Sequence, residues 1–369
     1  MQNVMGVINL GNQQDILNEL TYFRDLAAVP FAGKYRLIDF ALSNMVNSRI
    51  KDIAVLPTNK YRSLIEHLGT GRDWDLDRKQ GGLFILPPTY PKAVKYGDLH
   101  NFYQHLDFFI TGQQKYVLIS GGNLIANIDY RPALDFHQQV GADVTVLYKD
   151  YQEAKLKYPP LKRIETDQYG RVISIEDQYL PIFSSKLFME VLILDKQVLL
   201  QMVESCLNEG GCNLISDGLS KNLHNLRVYG FPFLGYLGSV NSVTSYYNQS
   251  MKLLQSENWK ELFYQPRLIY TKSKNEPPSR YSRSCRVKNS LAANGCVIDG
   301  TVENSILFRG VKVAKGAIIK NSIIMQKSEI GENVVVENSI LDKKVMVTAG
   351  KTIQGENDRP LVIAKRIVI

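Results

Sequence analysis

Cysteine is scarce in this chain. There are four among 369 residues, Cys206, Cys212, Cys285 and Cys296, and none sits at the short paired spacings that hold zinc or an iron–sulfur cluster. A disulfide framework is excluded as well, so the thiols are expected to be reduced and mostly buried. Histidine is nearly as rare: His67, His100, His105, His137 and His224 form no ligand pattern, and a structural role is the reading for all five. Long apolar runs are missing too. No stretch approaches the roughly 18 to 20 residues needed to span a bilayer, and the N-terminus has no basic segment leading into an apolar signal core. A membrane span is therefore not expected, and the cytoplasm is the expected compartment. Acidic residues are the minority, 36 against 44 Lys and Arg, giving a net charge of +8. That balance favours anionic partners without naming them. A nucleic-acid binder would gather its cations on one helix or interleave them with aromatics. Here they are spread out, the nearest thing to a run being Lys155, Lys157, Lys162 and Arg163. A solvated surface accounts for that spread, phosphorylated metabolites are the sharper reading, and nucleic acid is not expected.

What is present is a globular composition, 44% hydrophobic and 22% charged, with length for two domains. Val4 to Leu10 is an apolar run ending at Gly11, the form of a buried first strand in a parallel sheet. Strands are predicted over 51–56, 116–120, 144–147 and 187–194, a helix over 61–68 and a closing helix over 239–254. Between the first two strands, residues 27–49 set an apolar frame (Val29, Phe31, Leu37, Ile38, Phe40, Leu42) around a turn at Gly33 and the cations Lys34, Arg36 and Arg49. Residues 264–286 are rich in Pro, Ser, Lys and Arg and read as a linker. After it Asn-Ser followed by Leu or Ile recurs at Asn289, Asn304, Asn321 and Asn338, at intervals of 15, 17 and 17 residues, with short aliphatic triplets between. Three short strands per coil is the sequence form of a hexapeptide β-helix. The expected division is 1–262 for the α/β domain, 263–284 for the linker and 285–369 for the β-helix.

The stretch 27–49, the segment Gly71-Arg-Asp-Trp-Asp-Leu-Asp-Arg78 with Gly81 to Pro88, and the coils of the repeat resemble the sugar-nucleotide pyrophosphorylases, most closely the glucose-1-phosphate adenylyltransferases. The resemblance covers the whole chain. It implies an α/β domain of the nucleotidyltransferase type, with a mostly parallel sheet, followed by a C-terminal left-handed parallel β-helix. It also implies the reaction of ATP with glucose 1-phosphate to ADP-glucose, with magnesium.

Against that background the departures are concentrated where the family binds its substrates. The family's glycine-rich loop is here Gly11-Asn-Gln-Gln-Asp-Ile-Leu-Asn-Glu-Leu20, with one glycine and two acids. A basic Arg-Ala-Lys-Pro-Ala becomes Arg24-Asp-Leu-Ala-Ala28, so Leu26 stands at the lysine position. Asp98 stands for a threonine, and Gly122 of Gly121-Gly-Asn-Leu124 for the magnesium-binding aspartate of Ser-Gly-Asp-His. Asp177 replaces the lysine that holds the sugar phosphate, and Asn213 falls at the second metal-binding aspartate, with Asp217 or Asp129 as the carboxylates that a local shift could bring in. Each change removes a cation, a metal ligand or backbone access to phosphate, or adds a like charge. The pattern is similar to the non-catalytic, GlgD-type subunit of bacteria that build this enzyme from two different chains.

The resemblance thus implies a regulatory subunit with no catalytic residues or cofactor of its own. Its partner would be a catalytic paralogue that carries the magnesium, in a hetero-oligomer expected to be a heterotetramer. Arg24, Lys34 and Arg36 match basic positions that line an effector-anion cleft in the catalytic relatives, where sugar phosphates or phosphate bind. A divergent but active adenylyltransferase and a stand-alone sugar-phosphate sensor are the alternatives. An acyltransferase β-helix would need a histidine base, and none of the five lies after residue 224.

Overall fold

The computed structural model describes residues 1, 3–11, 17–89, 97–151, 161–176, 184–356 and 358–369. Asp15, Lys155, Lys157 and Asp177 lie outside the described residues.

The first strand, Val4–Asn9, lies inside a nine-stranded sheet between two parallel neighbours. Gly6 faces Ile53 of Asp52–Leu56 on one side and Leu118 of Tyr116–Ser120 on the other. All six of its residues are buried, which is why it reads as a continuous apolar run rather than an alternating one. Gly82–Ile85 continues the parallel run beyond Asp52–Leu56. The long strand Lys186–Asp195 turns antiparallel to Tyr116–Ser120, with Leu192 opposite Ile119, and also pairs with Val144–Asp150. A hairpin of Arg163–Thr166 and Val172–Glu176 extends that edge. Helices pack on the faces, among them Ile38–Asn47, Arg131–Gln139 and Lys196–Asn208. The carboxyl ends of the three central parallel strands run into Gly11, Pro57 and Gly121, so the loops that follow them share one rim.

The repeat folds as three sheets of five parallel strands each, the faces of the left-handed parallel β-helix. Asn289, Asn304, Asn321 and Asn338 stand at one corner of successive coils with φ between 44° and 47°, a left-handed conformation that asparagine tolerates better than bulkier residues. The serine after each asparagine explains the rest of the motif. Ser305 Oγ donates to Glu303 O at 2.6 Å and accepts from Ser322 N at 3.1 Å, and Ser322 Oγ repeats both bonds with Lys320 O and Ser339 N. These side chains are fully buried, so the ladder satisfies corner N–H groups that water cannot reach.

The segment between the two regions is tied down along its length. Asn47 Nδ2 donates to Leu268 O at 2.9 Å, Tyr270 N donates to Ser43 Oγ at 2.9 Å, and Asn127 Nδ2 donates to Arg267 O at 2.5 Å. Its ends are taken up by secondary structure, since a helix runs through Ser256–Tyr264 and Arg280–Tyr281 already pairs with Val297–Ile298. One apolar cluster joins the regions, with Phe31, Phe40 and Tyr246 from the sheet domain packed with Ile306, Phe308, Ile323 and Met325 of the β-helix. Gly33, at φ 78°, lets the hairpin of Pro30–Phe31 and Tyr35–Arg36 approach so closely that a Cβ there would sit 3.5 Å from Ala293 Cβ.

All four cysteines are free thiols, but burial divides them evenly: Cys206 and Cys296 are buried, Cys285 is half-buried and Cys212 is exposed. The expectation of mostly buried thiols fails at Cys212, which lies in the loop after Lys196–Asn208 rather than on its packed face. His67 and His137 are buried and bonded, to Asp39 Oδ1 at 2.6 Å and Thr145 Oγ1 at 2.9 Å.

Candidate functional site

At the rim of the parallel strands the described residues hydrogen-bond one another. Asn9 Nδ2 donates to Asp98 Oδ2 at 2.8 Å, and Leu214 N donates to Asp98 Oδ1 at 2.8 Å. Asp98 is fully buried at the start of the helix Asp98–Gln104 and joins the end of the first strand to the segment Leu214–Leu219. Burial pushes its carboxyl up to about 6, against the lowering effect of those donors. The N–H of Gly11, the one glycine left in the loop, is taken by Asn9 Oδ1 at 3.1 Å. A Cβ on Gly11 would lie 2.8 Å from Asn101 Nδ2, so the space around it is already filled. Leu26 is buried in an apolar cluster with Leu17 and Leu20, where a lysine ammonium would have no water.

The donor set does not fit a magnesium ion. Gly122 has no side-chain oxygen, and Asn213 Oδ1 accepts from Ile215 N, Ser216 N and Ser216 Oγ at 2.9 to 3.0 Å as the cap of the segment after it. The two carboxylates that could stand in are engaged. Asp217 accepts from Cys212 N and Asn213 N at 2.9 Å and from Lys221 Nζ at 2.8 Å, bonds that hold it down at about 2, the lysine's foremost. Asp129 is bound by Arg131, whose Nε lies 2.8 Å from Oδ1. Among the described residues, no three His, Cys, Asp or Glu side chains gather as a metal site.

A cavity of about 650 Å³ opens between the sheet domain and the β-helix. It brings Arg24, Lys34 and Arg36 together, and adds Arg62 from the same domain, Lys272 and Lys274 from the connecting segment, and six cations from the β-helix. Those six are Arg309, Lys327, Lys343, Lys344, Lys365 and Arg366, and Glu66 is the single carboxylate in the lining. Such a density of like charge is costly unless an anion neutralises it. Lys343 shows the cost: burial first, then Arg36 and Arg24, push its ammonium down to about 6.

The cleft is built rather than incidental. Arg36 is braced by Nη1 donating to Ser63 O at 2.6 Å and to Ser63 Oγ at 2.9 Å, while Asp39 Oδ2 accepts from its backbone N–H at 3.0 Å. Arg24, 3% exposed, pairs through Nη2 with the fully buried Asp342 at 2.5 Å, across the join between the two regions. Its Nη1 is buried with no hydrogen-bond partner, and so is Gln326 Oε1 in the same lining. Buried polar atoms are seldom left so, and here both border a cavity that would admit a ligand.

Sequence reasoning found three of the twelve cations. The β-helix six carried a signal that went unused, because it lies in the repeat itself. Counting five and six residues on from each motif asparagine gives Asn294-Gly295, Arg309-Gly310, Gln326-Lys327 and Lys343-Lys344, and the last coil supplies Lys365-Arg366. The second residue of each pair has positive φ: 79° and 71° at the two glycines, then 59°, 61° and 66° at Lys327, Lys344 and Arg366. Glycine is the ordinary choice at such a corner, and a lysine or arginine there costs about 1 kcal/mol. One corner of the stack has traded that strain for a column of cations.

The fold defines a nucleotidyl transferase domain carrying a hexapeptide β-helix. Residues 15–226 match the nucleotidyl transferase family, and residues 277–360 match the GlmU-like C-terminal hexapeptide family. Over 367 residues the chain is 39% identical to the glycogen biosynthesis protein GlgD of Bacillus subtilis (strain 168), covering 99% of this chain and 96% of that one. It is 38% identical to GlgD of Geobacillus stearothermophilus, over 86% of this chain and 82% of that one. The glucose-1-phosphate adenylyltransferase of Thermosipho africanus (strain TCF52B) is 36% identical over 87% of this chain and 78% of its own length. The chain belongs to the glucose-1-phosphate adenylyltransferase family, in which the GlgD proteins are among its relatives.

Proposed function

We propose that the chain is a catalytically degenerate, regulatory subunit of glucose-1-phosphate adenylyltransferase and acts in glycogen biosynthesis. It assembles with a catalytic paralogue, as a heterotetramer, and modulates that partner's synthesis of ADP-glucose. The observation that carries this reading is the contrast between the strand rim and the interdomain cavity. Among the described residues at the strand rim, Asn9, Leu214 N and Gly11 N are engaged in internal bonds, with Asp98 at their centre. Among the described residues lining the space between the domains, twelve cations face one carboxylate, and a buried guanidinium nitrogen has no partner there. An anion bound in that cleft, a sugar phosphate or phosphate held by Arg24, Lys34 and Arg36, would touch both regions at once. It therefore biases how they sit together, which is the physical requirement for transmitting a signal to an attached subunit.

The experiment measures ADP-glucose formation from ATP, glucose 1-phosphate and magnesium, by this chain alone and then mixed with the catalytic paralogue of the same organism. The expected result is no turnover alone and a changed rate, affinity or effector response in the mixture. Substantial turnover by the isolated chain overturns the reading.

A further inference from the structure

Lys343 lies in the cleft among cations, and the carboxylates around it are already engaged. It follows Asp342, whose Oδ2 accepts from Arg24 Nη2 at 2.5 Å and whose Oδ1 accepts from the backbone N–H of Lys343 itself at 2.7 Å. Asp39 is held at both oxygens, by His67 Nε2 at 2.6 Å and by Arg36 N at 3.0 Å. Glu66 lies 3.2 Å from Arg62 in an exposed pair, and Glu276 faces Lys274 and Arg309. Positive groups meanwhile reach the Lys343 side chain from every element around it. Arg24, Arg36 and His67 come from the sheet domain, and Lys274 from the connecting segment. On its own side stand Lys344 and the last coil's Lys365 and Arg366, the last donating its N–H to Lys343 O at 3.1 Å. Among the described residues Lys343 Nζ forms no hydrogen bond and no ion pair.

A cluster built this way sheds charge through its lysines. A guanidinium stays protonated, whereas a buried ammonium gives up its proton readily. Burial lowers Lys34, Lys274 and Lys365 as well as Lys343, and Lys343 has Arg36 and Arg24 pressing on it besides. An anion lodged between Arg24 and Arg36 supplies the missing counter-charge, and an opposite charge within about 4 to 6 Å favours the charged form of an amine. Resting on the anion site proposed above, we infer that the cleft binds its anion together with a proton: Lys343 gains the proton as the anion enters, and affinity for a fully ionised anion rises as the solution becomes more acidic. The sign follows from linkage. In the free protein Lys343 loses its proton as pH rises through about 6, and the anion moves that limit upward. The added affinity is therefore fully present below the lower limit and is lost as pH rises through the upper one. By reciprocity the anion tightens the proton by the same factor, so the subunit reads effector and acidity as one signal.

Sulfate is the probe, because unlike phosphate it carries no proton that titrates near neutrality. The full chain is titrated calorimetrically with sodium sulfate in two buffers of different ionisation enthalpy, against sodium chloride at matched ionic strength, which counts the protons taken up. The expected uptake near neutrality is between about half a proton and one per anion, with affinity falling roughly tenfold from about pH 6 to about pH 8. Lys343→Arg keeps the charge but cannot shed it, so that variant should bind sulfate with most of the proton uptake and most of the pH dependence gone. His67→Gln, which removes the nearest imidazole, should leave the uptake unchanged. Sulfate binding without proton uptake overturns the inference and leaves the anion site standing. Uptake undiminished in Lys343→Arg also overturns it, since the proton then goes to another group. Absence of sulfate binding at every pH overturns the anion site and the inference together. Should Lys343→Arg fail to fold, Lys343→Met carries the same proton count.

Discussion

The strand rim and the interdomain cleft treat their polar groups in opposite ways. At the rim the described groups are engaged within the protein: Asp98 accepts from Asn9 and Leu214, and Asn213 caps the segment after it. In the cleft the structure maintains costs. It holds Lys343 at a lowered pKa, sets Lys327 and Lys344 at left-handed corners, and leaves Arg24 Nη1 without a partner. Satisfied groups need no ligand, whereas an unsatisfied cluster is stable only because the surrounding fold over-determines it. That difference, more than the identity of any one residue, is what supports the proposed anion binding in the cleft.

The largest expected effect comes from the bond that spans the cleft. Asp342→Ala leaves Arg24 buried among cations with no counter-charge, and should lower stability by about 3 to 5 kcal/mol in chemical denaturation. Inorganic phosphate should restore part of the loss by occupying the site. A variant as stable as the wild type would mean that Arg24 is already neutralised by groups other than Asp342.

At the rim, Asp98 makes a smaller and pH-dependent difference. Its folded pKa, about 6, lies above the ordinary value of 3.8, so the folded state binds more protons than the unfolded one between those limits. Asp98 therefore contributes a stability that is fully present below the lower limit and is lost as pH rises through the upper one. Asp98→Asn should remove that dependence, so the wild type gains on the variant by on the order of 1 to 3 kcal/mol between pH 7 and pH 4. Parallel pH profiles of the two unfolding free energies would show that the carboxyl is not strained by burial.

Lys344→Gly sharpens the contrast from the other side. Relief of the left-handed φ should stabilise the free protein by about 1 kcal/mol, measured by thermal unfolding. The same variant should lose part of the stabilisation that phosphate confers on the wild type. A gain in both would separate the corner strain from anion binding. The smallest effect is expected from Gly122→Asp with Asn213→Asp: the restored carboxylates meet a rim closed by Asp98, so pyrophosphate formation by the isolated chain should rise less than tenfold. A rise of several orders of magnitude would mean that the rim opens readily once its metal ligands return.

Much of the fold was legible because it follows from local patterns. The unbroken apolar run 4–10 announced a strand buried on both faces, and the Asn-Ser spacing announced successive coils, since a corner needing positive φ and a serine bridge recurs once per turn. The connecting segment was less readable. Its Pro, Ser, Lys and Arg content suggests a tether, but side chains distant in sequence, Asn47, Ser43 and Asn127, bind its backbone. Composition cannot display donors that lie more than a hundred residues away.

The sequence by itself determined the main strands and helices of the sheet domain and the coil repeat, because propensity and periodicity act over a few residues. Only the tertiary structure decided which cations meet. Arg24 lies 318 residues from Asp342, and it reaches Lys343 and Lys365 because an apolar cluster packs the β-helix against the sheet domain. Electrostatic interaction depends on distance through space, and the fold sets that distance.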